Sequence, residues 1–335
     1  MTSPLAPAML EAIEPELRKS LDDLDTAREP ELVRMMRYHF GWTEPRPESG
    51  GKRLRPLLSL LSCAAAGGEW ARALPVAAAV ELIHNFTLIH DDIEDRSEYR
   101  RGRRTVWVEW GIPQAINTGD AVYVLSHRAA SRLQAEGFDA GTILVVRDTL
   151  DRSCLELTRG QHQDIAFEDQ EDVSFDRYLQ MIEGKTAALM SAASFAGAYL
   201  AGAETSRTEA YRSYGLHIGL AFQMLDDVLG VWGSPDRTGK TAGDDLRVRK
   251  KSLPVVLGLA ESPEFRRRWS DGARDEGAVR AMVRLLEQAG ILGRSQELAE
   301  AHTRQALEAL SQAVPAEPAA SELEALAARL LHRVT

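Results

Sequence analysis

Cysteine is scarce: Cys63 and Cys154 are the only two in 335 residues, they lie far apart in apolar surroundings, and no CxxC pair exists. A multi-disulfide scaffold is excluded. The two read as reduced, buried thiols of a cytoplasmic protein, with one bridge between them as the alternative. An excess of positive charge is also missing, since 40 basic residues face 50 acidic ones for a net charge of −10. That balance excludes a general nucleic-acid or membrane-surface binder, so any anion site has to be a local cluster. The first twenty residues, MTSPLAPAMLEAIEPELRKS, contain neither a basic n-region nor a sustained apolar h-region, and no secretory signal is expected. One uncharged stretch approaches membrane-spanning length, residues 186–203. Its Ala, Gly and Ser content suits a buried helix with close neighbours better, so no stable membrane insertion is expected. Strand-like alternation of useful length is absent as well, which leaves an all-α fold.

What is present is concentrated in residues 84–105, HNFTLIHDDIEDRSEYRRGRRT. An apolar run over 76–89 leads into Asp91, Asp92 and Asp95, and Arg96, Arg100, Arg101, Arg103 and Arg104 follow. In a helix, Asp91 and Asp95 share a face. Crowded carboxylates repel unless a cation lies between them, and hard oxygen donors suit Mg²⁺, which keeps waters and shares itself with substrate phosphates. The arginines supply the forked donors that phosphate oxygens accept from. The pattern reads as a metal–diphosphate site, and it recurs. A second apolar run over 214–225 ends in Asp226 and Asp227, and the segment to Pro254 carries Arg237, Lys240, Arg247, Arg249, Lys250 and Lys251. Two such units are expected to face each other across one cavity, each with acids for metal and bases for phosphate.

Other segments are weaker on their own. The Pro/Gly-rich loop over 41–51 runs into KRLRP, where Lys52, Arg53 and Arg55 precede Pro56. An anion pocket and a solvated basic turn both fit those residues. Lys185, a lone cation before the uncharged run, reads equally as a helix-end cap. Helical rhythm is expected over 8–40 with a break near 28–30, then over 57–66, 115–133, 139–167 and 174–203. An Ala/Leu/Glu/Arg-rich tail over 256–335, broken near Pro315 and Pro318, carries no chemistry. The expected organisation is a single domain over 1–335, with N-terminal helices and a loop (1–49), a catalytic core (50–255) and C-terminal helices (256–335).

Six segments then fall in one order: GGKRLRP at 50–56, LIHDDIEDRSEYRRG at 88–102, GQHQD at 160–164, GKT at 184–186, FQMLDD at 222–227 and GKTAGDDLRVRKKSLP at 239–254. Together they resemble the motifs of the trans-type polyprenyl diphosphate synthases, which include farnesyl and geranylgeranyl diphosphate synthases. The resemblance spans residues 50–254. It implies a homodimeric antiparallel helical bundle around a deep cavity, condensing isopentenyl diphosphate with an allylic diphosphate. It also implies that Lys52, Arg55, His84 and Arg101 hold the diphosphate of isopentenyl diphosphate. Asp91, Asp95 and Asp226 would bind Mg²⁺ with Asp92 and Asp227 in support. Arg100, Lys185, Lys240 and Lys250 would hold the allylic diphosphate, bordered by Gln223. Such a reaction breaks a C–O bond by stabilising the departing diphosphate charge. It needs no side-chain nucleophile, in keeping with the lack of an evident Ser–His–Asp set.

The sequence departs from the family pattern in three places. Gly230 stands where a third aspartate of the second motif is common, which predicts weaker metal affinity more than lost activity. Arg104 stands where proline is frequent, and only two residues separate Asp92 from Asp95, without the longer spacing of many bacterial farnesyl synthases. Residues about one turn before Asp91 lie beneath the acid cluster. These are Phe86 and Thr87, a bulky-then-small pair that resembles a geranylgeranyl-type chain-length floor, with a farnesyl product as the alternative.

Three other functions share parts of the pattern. The HDD at 90–92 invites comparison with HD-domain phosphohydrolases, which need further upstream histidines, whereas the first 83 residues contain only His39. A class I terpene cyclase would place a hydroxyl near Gly230 and an acid near Ser234, and neither is there. The set Lys52, Arg55 and Arg101 also argues for two substrates. A non-catalytic partner subunit should have lost acids from the first motif, which this chain keeps.

Overall fold

Helices run from the N-terminus as α1 (Leu5–Asp22), α2 (Pro30–His39), α3 (Leu54–Ala65), α4 (Leu74–Glu94), α5 (Val106–Trp110), α6 (Ile112–Ser131), α7 (Ala140–Glu168), α8 (Phe175–Ile182), α9 (Ala188–Leu200) and α10 (Thr205–Trp232). A short turn of helix, Asp244–Arg247, precedes Leu253–Glu261, Pro263–Ser270, Glu276–Gln288, Ile291–Gln312 and Ala319–Leu331. The computed structural model describes residues 5–22, 24, 28–43, 53–233 and 243–331. Lys52 and Lys240 lie outside them, as do Gly50, Gly51, Ser234 and Arg237. The fold is all-α, as the missing alternation predicts, and the breaks expected near 28–30 and 315–318 fall between helices. The chain divides into two compact units. One comprises Met1–Asp151, Ala193–Thr208 and Pro315–Glu322, and the other Arg152–Ala192, Glu209–Val314 and Leu323–Thr335.

In the first unit α4 is the core. Pro75 sits in its first turn, where a missing N–H costs nothing, and residues 76–83 are buried on every side. It packs against α6, α3 and α1. A helix buried all round must be apolar all round. That is why Trp70–Glu94 has the length and composition of a membrane span among the described residues, although 72% of its apolar window is buried inside the protein. The uncharged stretch over 186–203 contributes α9, which is also core.

One feature after α4 departs from pure helix. Tyr99–Arg100 and Arg103–Arg104 pair antiparallel, with Arg100 opposite Arg103. Arg101 (φ 52°) and Gly102 (φ 75°) form the turn. Two left-handed residues make the primed turn whose twist matches the strands, and only the first of them is not glycine. Strands of two residues are too short to leave an alternating pattern in the sequence.

In the second unit, Leu253–Glu261 is buried from Leu253 to Leu259 and packs on α8 and Ile291–Gln312. Ser174 caps α8, its Oγ accepting from Arg177 N at 3.3 Å. Between α8 and α9, residues Glu183–Ala187 form a π-helical turn. Its cause is close backbone approach. A Cβ on Gly160 of α7 would lie 2.6 Å from Met181 O and 2.8 Å from Lys185 Cα, and one on Gly184 would lie 2.6 Å from Glu156 O. Glycine at both positions lets the two segments touch, and the widened turn carries Lys185.

Candidate active site

The first acid cluster closes α4. Asp91 is half-buried and Asp95 exposed, one helical turn apart, with Asp95 N donating to Asp91 O at 2.8 Å. Asp92 between them is buried, and its Oδ1 lies 2.8 Å from both Arg100 Nε and Arg100 Nη2. Burial pushes its carboxyl up to about 6, against the charge and hydrogen bond of Arg100. One acid is thus braced inside by an arginine while its neighbours reach solvent.

The arginines divide as well. Arg103 donates to Tyr38 O at 2.5 Å and His39 O at 3.2 Å, and Arg104 pairs with Glu109 at 3.5 Å, so these two tie the hairpin to α2 and α5. Arg100 and Arg101 line a small cavity beside Asp92 and His39. Burial lowers the pKa of Arg101, and Glu81 opposes that.

Arg55 Nη1 lies 3.2 Å from His84 Nε2. A guanidinium only donates, so Nε2 accepts and the imidazole proton sits on Nδ1. Burial first, and then the charges of Arg55, Arg101 and Arg100, hold this ring neutral well below the ordinary histidine range. His84 therefore orients Arg55 and keeps one N–H to offer.

Behind these groups runs a buried chain of polar contacts that sequence reasoning missed. Arg53, left-handed at φ 45°, donates to Glu81 Oε1 at 2.6 Å and Glu14 Oε2 at 3.1 Å. Asn85 Nδ2 donates to the same Glu81 oxygen at 2.9 Å. His39 Nε2 meets Asn85 Oδ1 at 3.1 Å, and the His39 ring is held neutral by burial and by Arg100 and Arg101. The available signal was Glu81 itself, the one charged residue in the apolar run over 76–89.

Phe86 is half-buried, its ring 4.9 Å from Tyr123 of α6 and 5.7 Å from His90, while Tyr123 lies 4.8 Å from His127. Thr87 is buried, with its hydroxyl donating back to His84 O at 2.8 Å. Of the two, Phe86 is the one that presents a ring to the α4–α6 seam. Tyr123 and His127 carried no signal in the sequence beyond ordinary helix spacing.

The second cluster, in the other unit, repeats the division of labour. Asp226 is exposed and Asp227 buried. Asp227 Oδ2 accepts from Tyr178 Oη at 2.7 Å and Leu253 N at 2.9 Å, and Oδ1 from Gln223 Nε2 at 2.9 Å. Lys250 Nζ stands 3.7 Å from Oδ1. Gln223 Oε1 in turn accepts from Thr186 at 2.6 Å. Burial, then Asp227, pushes the Tyr178 hydroxyl well above its usual range, so it stays a donor. Lys185 meets Asp164 at 2.5 Å. Burial of Asp164 works against its ionisation, but the charges of Lys185 and Lys250 outweigh that and lower its pKa. The four later motifs of the sequence thus converge around Asp227 and Asp164. Tyr178 is a member that no motif announced.

Among the described residues no three or more His, Cys, Asp or Glu side chains gather as a ready metal cage. What the chain offers is hard carboxylate oxygens at Asp91, Asp95 and Asp226, each beside a buried acid with partners of its own. Carboxylate oxygens of that kind, taken cluster by cluster, fit Mg²⁺, a hard cation that prefers oxygen donors and keeps several waters.

Comparison with known proteins shows the family. The family model described as Polyprenyl synthetase matches residues 41–286. The chain belongs to the polyprenyl synthetase family. A (2E,6E)-farnesyl diphosphate synthase of Mycobacterium tuberculosis (strain CDC 1551 / Oshkosh) is 41% identical over 99% of this chain and 93% of its own. A geranylgeranyl diphosphate synthase of Mycobacterium tuberculosis (strain ATCC 25618 / H37Rv) is 43% identical over 72% of this chain and 69% of its own. The crystal structure of a polyprenyl synthetase from Streptomyces coelicolor A3(2) superposes with a TM-score of 0.87 at 36% identity, covering 96% of each chain. As a member of this family the protein is a prenyltransferase. The first acid cluster lies in one unit and the second in the other, and each carries residues that the sequence motifs singled out, apart from Lys52 and Lys240, which lie outside the described residues.

Proposed function

We propose that the protein condenses isopentenyl diphosphate with an allylic diphosphate, head to tail and in trans geometry, and that its main product is geranylgeranyl diphosphate. The observation that carries this reading is the twofold division of acids. In each cluster one aspartate is buried and braced (Asp92 by Arg100, Asp227 by Tyr178, Gln223 and Leu253 N) while another faces solvent. Asp91, Asp95 and Asp226 hold Mg²⁺ in this reading. When bound, Mg²⁺ supplies Lewis-acid stabilisation of the diphosphate oxygens. Arg100, Lys185, Lys240 and Lys250 take the negative charge that builds on the allylic diphosphate as its C–O bond breaks. Arg55, oriented by neutral His84, joins Arg101 and Lys52 in positioning isopentenyl diphosphate, whose alkene attacks the allylic carbon. The proton lost in the last step passes to the released diphosphate. Phe86, backed by Tyr123, stops chain growth. The protein acts in the cytoplasm as a homodimer. Exposed Ile112, Ile116 and Val124 on α6 and Leu144 and Leu155 on α7 supply apolar surface for a second copy.

The test is incubation with Mg²⁺, isopentenyl diphosphate and dimethylallyl, geranyl or farnesyl diphosphate, with products identified by mass. A twenty-carbon diphosphate is expected. Hydrocarbon formed without isopentenyl diphosphate would mark a cyclase, and no turnover in any mixture a non-catalytic subunit. Farnesyl diphosphate is the second reading, favoured by the farnesyl synthase relative that aligns over 99% of this chain. Growth that ends at fifteen carbons would decide for it.

A further inference from the structure

Away from the acid clusters, two metal-ligating side chains meet across a helix seam inside the second compact unit. His217 of α10 and His302 of Ile291–Gln312 stand 85 positions apart in the chain, yet their Nδ1 atoms lie 3.1 Å from each other. The rings stack with centroids 5.3 Å apart and planes inclined by 25°. Both histidines are half-buried, whereas Tyr214, Ile218, Thr303 and Ala306 on the same two helices are buried. The pair therefore sits at the rim of the seam, with core on one side and solvent on the other. Two nitrogens this close cannot both point a hydrogen at each other, so one Nδ1 donates and the other accepts. Burial holds both rings below the ordinary histidine range, against Glu308 at His217 and against the hydrogen bond with Gln305 at His302. At neutral pH, then, a single hydrogen lies between the two Nδ1 atoms. Solvent can move it to Nε2 of its own ring, which leaves two Nδ1 lone pairs facing one point with no net change in protons. Zn–N bonds of about 2.0–2.1 Å at a tetrahedral angle set two imidazole nitrogens ~3.3–3.4 Å apart. A small opening of the pair meets that requirement.

We propose that His217 and His302 form a binding site for a divalent transition metal ion, Zn²⁺ foremost, which clips α10 to Ile291–Gln312. The two Nδ1 atoms supply two ligands and water supplies the others. Imidazole suits Zn²⁺, whereas Mg²⁺ takes oxygen ligands, so this site and the aspartate clusters call for different ions. A clip between positions so far apart in the chain closes a long loop, which is where a metal constrains the unfolded chain most. The ion holds α10 ahead of Gln223, Asp226 and Asp227 and takes no part in the reaction, so the inference stands independently of the proposed function.

The probe is Zn²⁺ alone, titrated into the full chain after stripping with EDTA and dialysis into excess Mg²⁺, which covers the carboxylates. The wild type should melt higher as Zn²⁺ saturates the folded state. Proton–nitrogen correlation spectra of its imidazoles should show the Nδ1 signals of two histidines moving together over the same range. His217→Asn and His302→Asn place an amide where Nδ1 stood, able to hydrogen-bond but a poor ligand for Zn²⁺. Each should melt close to the wild type in EDTA, lose the Zn²⁺-dependent rise and bind Zn²⁺ at least about tenfold more weakly by calorimetry. Wild-type Zn²⁺ affinity in either variant, or wild-type Nδ1 signals that do not respond to Zn²⁺, would overturn the inference. Should a variant fold poorly, the wild-type spectra decide by themselves.

Discussion

Removing the carboxylate of Glu81 should damage the protein more than almost any other single deletion in α4, although Glu81 belongs to none of the motifs. Its side chain is 4% exposed and that of Arg53 is 8% exposed. They meet at 2.6 Å, with Asn85 donating to the same oxygen at 2.9 Å. Glu81→Ala leaves the guanidinium with Glu14 alone and strands one Asn85 donor. Breaking one side of a buried ion pair costs about 3–5 kcal/mol. At about 2–4 °C per kcal/mol for a domain of this class, the melting temperature should fall by roughly 6–20 °C. Because the pair is out of solvent, ~1 M NaCl should leave that difference nearly unchanged. Replacing both partners, as Arg53→Met with Glu81→Leu, should recover most of the loss, since an apolar pair carries no desolvation penalty. The assay is melting by circular dichroism, completed as a double-mutant cycle. A fall of less than about 1 kcal/mol for Glu81→Ala, or a double variant no better than the single, would refute the placement of the pair in the core.

Acid should weaken the fold through His39 and His84. Both are neutral when folded and take a proton near pH ~6.5 when unfolded, so the unfolded chain binds more protons below that pH. Stability is therefore complete above about pH 7 and should fall by up to about 1.4 kcal/mol per pH unit for each histidine as pH drops further. Urea midpoints between pH 8 and 5 check this, and a flat profile would contradict it. Gly160→Ala should cost at least about 1–3 kcal/mol by overpacking against the π turn, with kcat falling as Lys185 moves. Unchanged melting and kcat would remove the close approach as its cause. Asp91→Ala should lose about a hundredfold or more in turnover while circular dichroism stays native, and wild-type rates would sink the metal assignment. Phe86→Ala should lengthen the product, and an unchanged chain-length distribution on mass analysis would remove Phe86 as the floor.

Much of the site was legible because its chemistry is local. Asp91, Asp92 and Asp95 are one helical turn of carboxylates, Asp226 and Asp227 adjoin a second apolar run, and such groupings survive in linear order. The long helices were legible for the same reason: α7 was expected over 139–167 and spans Ala140–Glu168. The hairpin at Tyr99–Arg104 was not, since its strands are shorter than any period. Nor were Tyr178, Tyr123 and the chain His39–Asn85–Glu81–Arg53, because each depends on a partner tens of residues away.

The sequence by itself determined the fold class, the family motifs and the types of charge at the site, because helix period, turn residues and acid clusters act over a few positions. The tertiary structure decided which member of each acid pair is buried and which reaches solvent. Five neighbouring arginines look alike in a string of letters. Packing commits Arg103 and Arg104 to backbone and surface partners and Arg100 to Asp92, because burial penalises any charge left without a partner.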